Sequence, residues 1–173
     1  MRLFIAVNLC DDTRSKLAVL RDELRSSSKR GNFTDKENMH ITLAFLGECS
    51  EAQKDAAAKA MDMVRFNPFS LSVDRTGRFR RDGGDIWWAG VQNSNELSDV
   101  HADLISGLNA AGFGTERRRY DPHITLGREV ITDAGPRKIE PFGETVSRIE
   151  LMRSERINGK MVYTAIHEKG AVQ

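Results

Sequence analysis

The tetrapeptide His-Ile-Thr-Leu occurs twice in this chain, at residues 40–43 and at residues 123–126. The chain has only four histidines, and two of them share the next three residues. With ~20 residue types at each position, chance produces such a match about once in a thousand times. The offset of 83 residues (123 − 40) is close to half of the 173-residue chain. The repeat therefore favours a fold built from two similar halves.

The residues around the two tetrapeptides repeat at the same offset. A shift of 83 aligns residues 4–6 with residues 87–89, and it aligns a helix predicted from Asp12 with a helix predicted from Asn95. A β-α-β unit is therefore duplicated, and two such units most simply pack about a pseudo-twofold axis, as the subunits of a symmetric dimer do. Because side chains alternate along a strand, the His and Thr of each copy would face one shared cleft while the Ile and Leu face the core.

Apolar periodicity and turn residues predict ten elements in the order β-α-β-α-β-β-α-β-β-β. The predicted strands are residues 3–9, 39–46, 69–73, 85–91, 122–127, 146–152 and 161–167, and the predicted helices run from about 12 to 25, 50 to 64 and 96 to 111. Residues 26–31 are predicted to end the first helix, residues 78–84 to form a basic loop, and Asn158-Gly159 to form a hairpin turn. This order predicts the α+β class, with a bilobal fold, duplicated β-α-β units and antiparallel sheets that face a central cleft.

Composition narrows the classes of protein that need to be considered. With 39% apolar and 29% charged residues, the chain is typical of a soluble globular protein and not of a disordered, collagen-like or membrane-spanning one. A chain of this length buries about two thirds of its unfolded surface, so we expect one domain over residues 1–173. A net charge of +1 argues against a general nucleic-acid binder, and an aromatic content of 7% argues against an extended base-stacking platform.

Neither the cysteines nor the first residues indicate export. Cys10 and Cys49 are too few for a disulfide framework or a zinc site. Residues 1–9 faintly imitate a signal peptide, but Asn8 interrupts the apolar run, Asp11 and Asp12 follow it, and no small-residue cleavage site is present. We therefore expect a cytoplasmic protein without membrane contact, in which these residues form a buried first strand.

Two imidazoles and two hydroxyls in one cleft suit acid–base catalysis on a phosphate ester. Histidine serves as base or acid near neutral pH, and threonine hydroxyls donate hydrogen bonds to phosphoryl oxygens. The set fits hydrolysis of a cyclic phosphodiester, in which one His activates water and the other protonates the departing ribose oxygen. The symmetry leaves open which of His40 and His123 is the base. Thr42 and Thr125 are the predicted phosphate ligands.

The chain resembles the 2H (two-histidine) phosphoesterases, and in particular the bacterial and archaeal RNA 2′,3′-cyclic phosphodiesterases, also called 2′-5′ RNA ligases. The resemblance rests on the paired His-x-Thr-Leu motifs, on Phe45-Leu46-Gly47, and on residues 2–6, 87–91 and 122–128. It implies a bilobal α+β fold, a cleft without metal or cofactor, and conversion of RNA 2′,3′-cyclic phosphate ends to 2′-phosphates. Ligation through a 2′-5′ linkage would be the reverse reaction. It also implies that His40 is the proton donor and His123 the proton acceptor.

Basic and aromatic residues near the motifs are candidates for RNA contacts: Arg78, Phe79, Arg118, Arg119, Tyr120 and Arg128. The expected partner is an RNA or oligonucleotide with a 2′,3′-cyclic phosphate end, bound by a monomer without an obligate protein partner. His101 and His167 have no repeated counterpart and are expected to be solvated or packing residues.

Two other functions compete with the cyclic phosphodiesterase interpretation. The first is a non-catalytic module that captures nucleotides or RNA ends in the same cleft, which would show saturable binding without product. The second is a metal-dependent hydrolase, but the sequence shows no His-x-His, His-Asp or clustered carboxylate set beside either motif.

Overall fold

The computed structural model describes residues 1–92, 94–115 and 119–172, which form three α-helices and nine β-strands. The helices are α1 (Asp11–Ser26), α2 (Glu51–Asp62) and α3 (Asn95–Ala110). The strands are β1 (Arg2–Asn8), β2 (Ser28–Phe33), β3 (His40–Glu48), β4 (Phe69–Phe79), β5 (Asp85–Val91), β6 (His123–Thr132), β7 (Lys138–Val146), β8 (Arg148–Ile157) and β9 (Lys160–Gly170). The α+β class predicted from the sequence is confirmed.

The strands form one antiparallel sheet whose order has two matching halves. The order is β7-β4-β5-β6-β3-β1-β8-β9, and β2 pairs with β6 beside this path. The two His-Ile-Thr-Leu strands, β3 and β6, are neighbours at the centre, where Ile41 pairs with Ile124. The sheets of the two halves are therefore joined, and β2 occupies the same edge of β6 farther along the strand.

The outer strands of the repeat correspond with a different offset from the central ones. Ala6 lies opposite Thr42 in one half, and Trp88 lies opposite Thr125 in the other. Ala6 therefore corresponds to Trp88, an offset of 82 (88 − 6), and the alignment of this strand at an offset of 83 is wrong by one residue. Such a shift exchanges the two faces of a strand, so Trp88 shares the face of Thr125 while Trp87 is buried in the core.

The helices cover the face of the sheet opposite the two histidines. A large cluster of buried side chains joins this face to the helices, with Leu17 on α1, Leu104 on α3, and Ile41 and Ile124 on the central strands. A small second cluster of Phe4, Ala6 and Met152 lies apart from it, with Tyr163 packed against it. The alternation of β1 between these two clusters is the period of two that a strand buried on both faces requires.

Local sequence signals account for several boundaries. Ser50 begins α2 with a capping box, in which its hydroxyl accepts from the Gln53 N–H and its own N–H donates to the Gln53 side chain. Ser94 caps α3 by accepting from the Leu97 N–H. The predicted hairpin turn between β8 and β9 is also confirmed, with both Asn158 and Gly159 at positive φ.

Two strands were not predicted, and one predicted loop is shorter. Residues 26–31 do end α1, but β2 begins at Ser28, and β7 follows β6 where no element was predicted. Neither strand has the alternation of apolar residues that marks a half-buried strand, and β7 carries Pro141 on an edge of the sheet. The expected basic loop over residues 78–84 is partly strand, because β4 continues to Phe79.

Among the helices that the structure describes, none is long and apolar enough to cross a membrane.

Candidate active site

The motif strands bring both histidines and both threonines into one cavity. Because Ile41 lies opposite Ile124, continuing this register places His40 opposite Thr125 and Thr42 opposite His123. All four side chains point to the face that the helices leave open. They line a cavity of about 440 Å³ together with Arg2, Phe4, Thr34, Asn38, Phe45, Arg128, Ser154, Met161 and Tyr163.

An equivalent bulge in each half adds one more side chain to this face. In β3 the partners of Ile5 and Ala6 are Ala44 and Thr42, so Leu43 is an extra residue. The extra residue in β6 is Leu126, at the same place in the motif. A bulge changes the phase of the alternation, and it turns Phe45 and Arg128 toward the cavity, each three residues after the threonine of its motif.

Both imidazoles are held by the same contact to their own chain. The Nδ1 of His40 lies 2.7 Å from the Asn38 carbonyl oxygen, and the Nδ1 of His123 lies 2.8 Å from the Asp121 carbonyl oxygen. A carbonyl oxygen only accepts hydrogen bonds, so Nδ1 donates in each case and Nε2 is the nitrogen that gains or loses a proton. The Nε2 of His40 lies 3.1 Å from the Thr42 hydroxyl.

The two rings have different aromatic neighbours. Phe4 lies 4.9 Å from the His40 ring, and Tyr163 lies 5.4 Å from it with its edge against the ring. The His123 ring has Phe79 at 5.1 Å in an edge contact and Trp88 at 6.2 Å. These contacts limit the orientations of both imidazoles, and they make the surroundings of the two copies unequal.

Burial lowers the pKa of His40, the hydrogen bond to the Asn38 carbonyl opposes that shift, and the positive charge of Arg14 adds to it. Arg14 is fixed behind the strand, where it donates to the Met39 carbonyl oxygen at 3.1 Å and to the Asn8 side chain at 3.3 Å. The neutral form of His40 is therefore favoured at pH 7 in the unliganded protein.

A second cavity of about 480 Å³ adjoins the first on the side of His123. The two cavities meet at Thr42, Phe45 and His123. Three residues predicted to contact RNA line the second cavity: Phe79, Arg119 and Tyr120. Tyr120 donates from its hydroxyl to the Thr42 carbonyl oxygen at 3.0 Å, and its ring stacks on His101 with 3.8 Å between centroids.

The other candidates from the sequence fall into three groups. Arg128, a predicted RNA contact, lines the first cavity. The structure does not bring Arg78 to either cavity, because Arg78 lies opposite the buried Trp87 and contacts Asp85 and the Ala134 carbonyl. Arg118 lies outside the described residues.

The two unrepeated histidines lie away from the first cavity. His101 packs on Tyr120, and burial lowers its pKa. His167 contacts the Asp62 carboxylate at 2.8 Å through Nε2. Within the described ranges, no three His, Cys, Asp or Glu side chains come together as a metal site would need.

Sequence reasoning did not assign Phe45, Arg2 or Tyr163 to the site. A signal existed for Phe45, which follows His40 by five residues as Arg128 follows His123. Arg2 places its guanidinium 4.9 Å from the centre of the Phe45 ring, although nothing in the chain between them indicates this contact. Tyr163 reaches the cavity only because β9 pairs with β8, which in turn pairs with β1.

The chain is similar over nearly its whole length to several known proteins. An RNA 2′,3′-cyclic phosphodiesterase of Thermotoga maritima is 29% identical over 97% of this chain and 94% of its own. The protein of the same name from Methanothermobacter thermautotrophicus is 30% identical over 95% of both chains. The crystal structure of E. coli LigT complexed with 3′-AMP superposes with a TM-score of 0.85 at 25% identity, covering 99% of this chain and 98% of LigT. The family model of the 2′-5′ RNA ligase superfamily matches residues 12–158, and the chain belongs to that superfamily.

Proposed function

We propose that this protein hydrolyses RNA 2′,3′-cyclic phosphate ends to 2′-phosphates, using His40 and His123 without a metal ion or cofactor. The observation that carries the proposal is the single cavity lined by both His-x-Thr pairs, with Arg2 and Arg128 as the cations that an anionic substrate requires. The relatives named RNA 2′,3′-cyclic phosphodiesterase support the same substrate. One domain over residues 1–173 carries the activity.

In the proposed mechanism the two imidazoles act on opposite sides of the phosphorus. His123 takes a proton from water through Nε2, and the water oxygen attacks phosphorus in line with the P–O3′ bond. As that bond breaks, His40 protonates O3′ and a 2′-phosphate remains. The assignment of donor and acceptor follows the resemblance to the 2H phosphoesterases, since the Nδ1 contact is the same in both rings and makes Nε2 the nitrogen that exchanges a proton in each.

The lowered pKa of His40 has a consequence for a group that must be protonated to act as the acid. Burial and Arg14 disfavour the imidazolium in the empty cavity. A phosphodiester anion beside the ring has the opposite effect, because a nearby negative charge stabilises the charged imidazole. Substrate binding and protonation of His40 therefore favour each other. The hydroxyls of Thr42 and Thr125 donate to the phosphoryl oxygens, where negative charge increases in the transition state.

In this proposal Phe45 and Arg128 hold the terminal nucleoside. Phe45 is 58% exposed, which is unusual for a phenylalanine beside an extensive core, and its ring lies at the cavity. An exposed aromatic ring and a guanidinium are the two surfaces on which unpaired bases stack. Arg2, Phe79, Arg119 and Tyr120 are further RNA contacts in this proposal.

The same groups would also run the reaction with a 5′-hydroxyl in place of water, which joins two RNA ends through a 2′-5′ linkage. We place the enzyme in the cytoplasm as a monomer without an obligate protein partner.

Incubation of the protein with an oligonucleotide bearing a 2′,3′-cyclic phosphate, in excess EDTA, tests the proposal. We expect a 2′-phosphate product, with the double variant His40→Ala/His123→Ala as the inactive control. Saturable binding without product would instead identify a binding module. Activity that is lost in EDTA and restored by a divalent ion would identify a metal-dependent hydrolase.

A further inference from the structure

We infer that Glu150 is a positioning residue for His40 and that it acts through Asn8 and Arg14. The inference rests on the proposed function, because it concerns the imidazole that protonates O3′. Among the described residues, Glu150 is the one buried residue with a charged side chain, at 6% exposure. Burial of a carboxylate is unfavourable unless hydrogen bonds and an opposite charge compensate it. The contacts of Glu150 are therefore the evidence for its role.

Three hydrogen bonds connect Glu150 to the backbone immediately before His40. The Oε2 of Glu150 accepts from the Nδ2 of Asn8 at 3.1 Å, and the Oδ1 of Asn8 accepts from the Nη2 of Arg14 at 3.3 Å. The Nε of Arg14 donates in turn to the Met39 carbonyl oxygen at 3.1 Å. This carbonyl belongs to the peptide group that joins Met39 to His40, so the chain of contacts ends at the proposed proton donor.

The chemistry of the three side chains fixes the orientation of the Asn8 amide. An ionised carboxylate only accepts hydrogen bonds, and a guanidinium only donates them. Asn8 lies between the two, so its Nδ2 faces Glu150 and its Oδ1 faces Arg14. The Met152 sulfur, an acceptor 3.2 Å from Nδ2, supports the same orientation. Without the carboxylate, the Asn8 amide is no longer required to present its oxygen to Arg14.

Charge also connects Glu150 to Arg14. Burial lowers the pKa of the Arg14 guanidinium, and four negative charges oppose that shift: Glu144, Glu150, Glu37 and Asp11. Glu150 is the only one of these four that is buried. Its other oxygen accepts from the exposed Arg148 at 2.8 Å. Glu150 therefore stabilises both the charge and the position of Arg14.

The other half of the molecule cannot form this chain at the equivalent position. Asn8 lies opposite His40 on β1, whereas Gly90 lies opposite His123 on β5. Glycine has no side chain that could accept from a guanidinium. The Arg75 side chain comes within 2.8 Å of the place where a Cβ at position 90 would lie. The chain from Glu150 is therefore not a requirement of the repeated fold, and it serves the proposed donor alone.

The segment before His40 has two anchors. One is the bond from Arg14 to the Met39 carbonyl, and the other is the bond from Asn38 Nδ2 to the Met161 carbonyl at 2.9 Å. The Asn38 carbonyl holds the imidazole, so movement of this segment moves the ring. A general acid must lie within hydrogen-bond reach of the departing oxygen, and a misplacement of about 1 Å costs up to about 10²-fold in rate.

Glu150→Met removes the carboxylate and keeps the approximate length of the side chain. We expect kcat for hydrolysis of a nucleoside 2′,3′-cyclic phosphate to fall by about 10- to 100-fold, the scale of a misplaced catalytic group, with KM nearly unchanged. Glu168→Met is the matched control, because Glu168 lies opposite Glu150 on β9 and is exposed. The control should stay within about threefold of the parent.

A second substrate distinguishes positioning of the acid from a general loss of structure. In a cyclic phosphate with sulfur in place of O3′, the leaving group is a thiolate, which needs no proton because a thiol ionises near a pKa of about 8.5. Hydrolysis of this substrate still requires the base. We expect Glu150→Met and His40→Ala to hydrolyse it at close to the parent rate, and His123→Ala to remain slow. Equal losses of Glu150→Met on both substrates would limit Glu150 to support of the fold and overturn the inference.

Asn8→Leu breaks the same chain at its middle and carries the test if Glu150→Met does not fold. It should show the same loss with the oxygen substrate and the same rescue with the sulfur substrate. The double variant Asn8→Leu/Glu150→Met should lose no more than either single variant, because both changes interrupt one chain. Losses that multiply, or no loss in either variant, would overturn the inference. An unmodified protein that hydrolyses neither substrate would instead overturn the proposed function.

Discussion

Each proposed catalytic imidazole is oriented by a carbonyl two residues earlier in the chain, just before its strand begins, at Asn38 and at Asp121. Each of the variants His40→Ala and His123→Ala removes one imidazole ring, and the carbonyl that held this ring loses its hydrogen-bond partner. We expect each variant to lower the hydrolysis rate by about 10²–10⁴-fold, the usual scale for the loss of an acid or base. His167→Ala and His101→Ala are the controls and should stay within about threefold. Steady-state rates with equal losses at all four positions would contradict the proposed roles.

The two threonines are tested by substitutions that keep their shape. Thr42→Val and Thr125→Val replace only the hydroxyl and suit a strand at least as well. If each hydroxyl donates to a phosphoryl oxygen, turnover should fall by about 10- to 100-fold, the range for a hydrogen bond to a charged group. Thr164→Val on β9, which does not line either cavity, is the control. Unchanged rates in both motif variants would limit the threonines to a structural role.

The charge of Arg14 gives a direct test of the site electrostatics. In the unliganded protein the His40 imidazole should titrate below its ordinary pKa of 6.5, because burial and the Arg14 cation both disfavour the imidazolium. Removal of that cation in Arg14→Gln should raise the pKa, and Arg14→Lys, which keeps the charge, should leave it near the parent value. NMR titration of the His40 ring measures all three. A pKa that falls in Arg14→Gln would show that Arg14 acts on His40 only through its hydrogen bonds.

At the scale of elements, the pairing of β4 with β5 fixes the indole that lies beside His123. Gly77 lies opposite Trp88, and a Cβ at position 77 would overlap the indole ring. Gly77→Ala should therefore cost about 1–3 kcal/mol of folding free energy through overpacking. It should also slow hydrolysis, because the Trp88 ring contacts Phe79 and lies 6.2 Å from the His123 ring.

Gly135→Ala is the matched control for this change. Position 135 has nothing within 4 Å of an added Cβ, so the free energy of unfolding should stay within about 0.5 kcal/mol of the parent. Denaturant unfolding measures both variants. Equal stabilities for the two would show that the Trp88 ring moves aside without cost.

At the scale of the whole molecule, the sequence predicted the features that have a local signal, either a repeated motif or a periodic pattern of apolar residues. The duplicated His-Ile-Thr-Leu tetrapeptide predicted two similar halves and a shared cleft, and the structure has both His-Thr pairs in one cavity. That the two motif strands are direct neighbours in one sheet was not predicted. Apolar periodicity predicted all three helices and seven of the nine strands in the described part of the chain.

The features that the sequence did not predict depend on pairing between distant segments. The β2 and β7 strands are polar and lack an alternation of apolar residues. They are strands because they pair with β6 and β4, which lie far away in the sequence. The correspondence of Ala6 with Trp88 depends on one residue of difference in the length of the connecting segments, which no local pattern reveals. No local sequence pattern marks the bulges at Leu43 and Leu126 either, although these bulges turn Phe45 and Arg128 toward the cavity.

Phe45 and Arg128 are the equivalent residues after the two bulges, and they differ in chemistry. This difference gives the substrate a preferred orientation in a cavity that is otherwise built from two similar halves. In a perfectly symmetric cavity a substrate could be turned end over end, and both orientations would yield the same 2′-phosphate with the duties of the two imidazoles exchanged. One half offers a ring and the other a guanidinium, so only one orientation is favoured. The identity of the proton donor would then be set by Phe45 and Arg128 and not by the histidines.

The double exchange Phe45→Arg/Arg128→Phe should transfer the role of proton donor to His123. A substrate with a better leaving group at the 3′ position should rescue His40→Ala in the parent, but His123→Ala in the exchanged protein. Rescue of the same histidine variant in both backgrounds would show that the direction is set elsewhere.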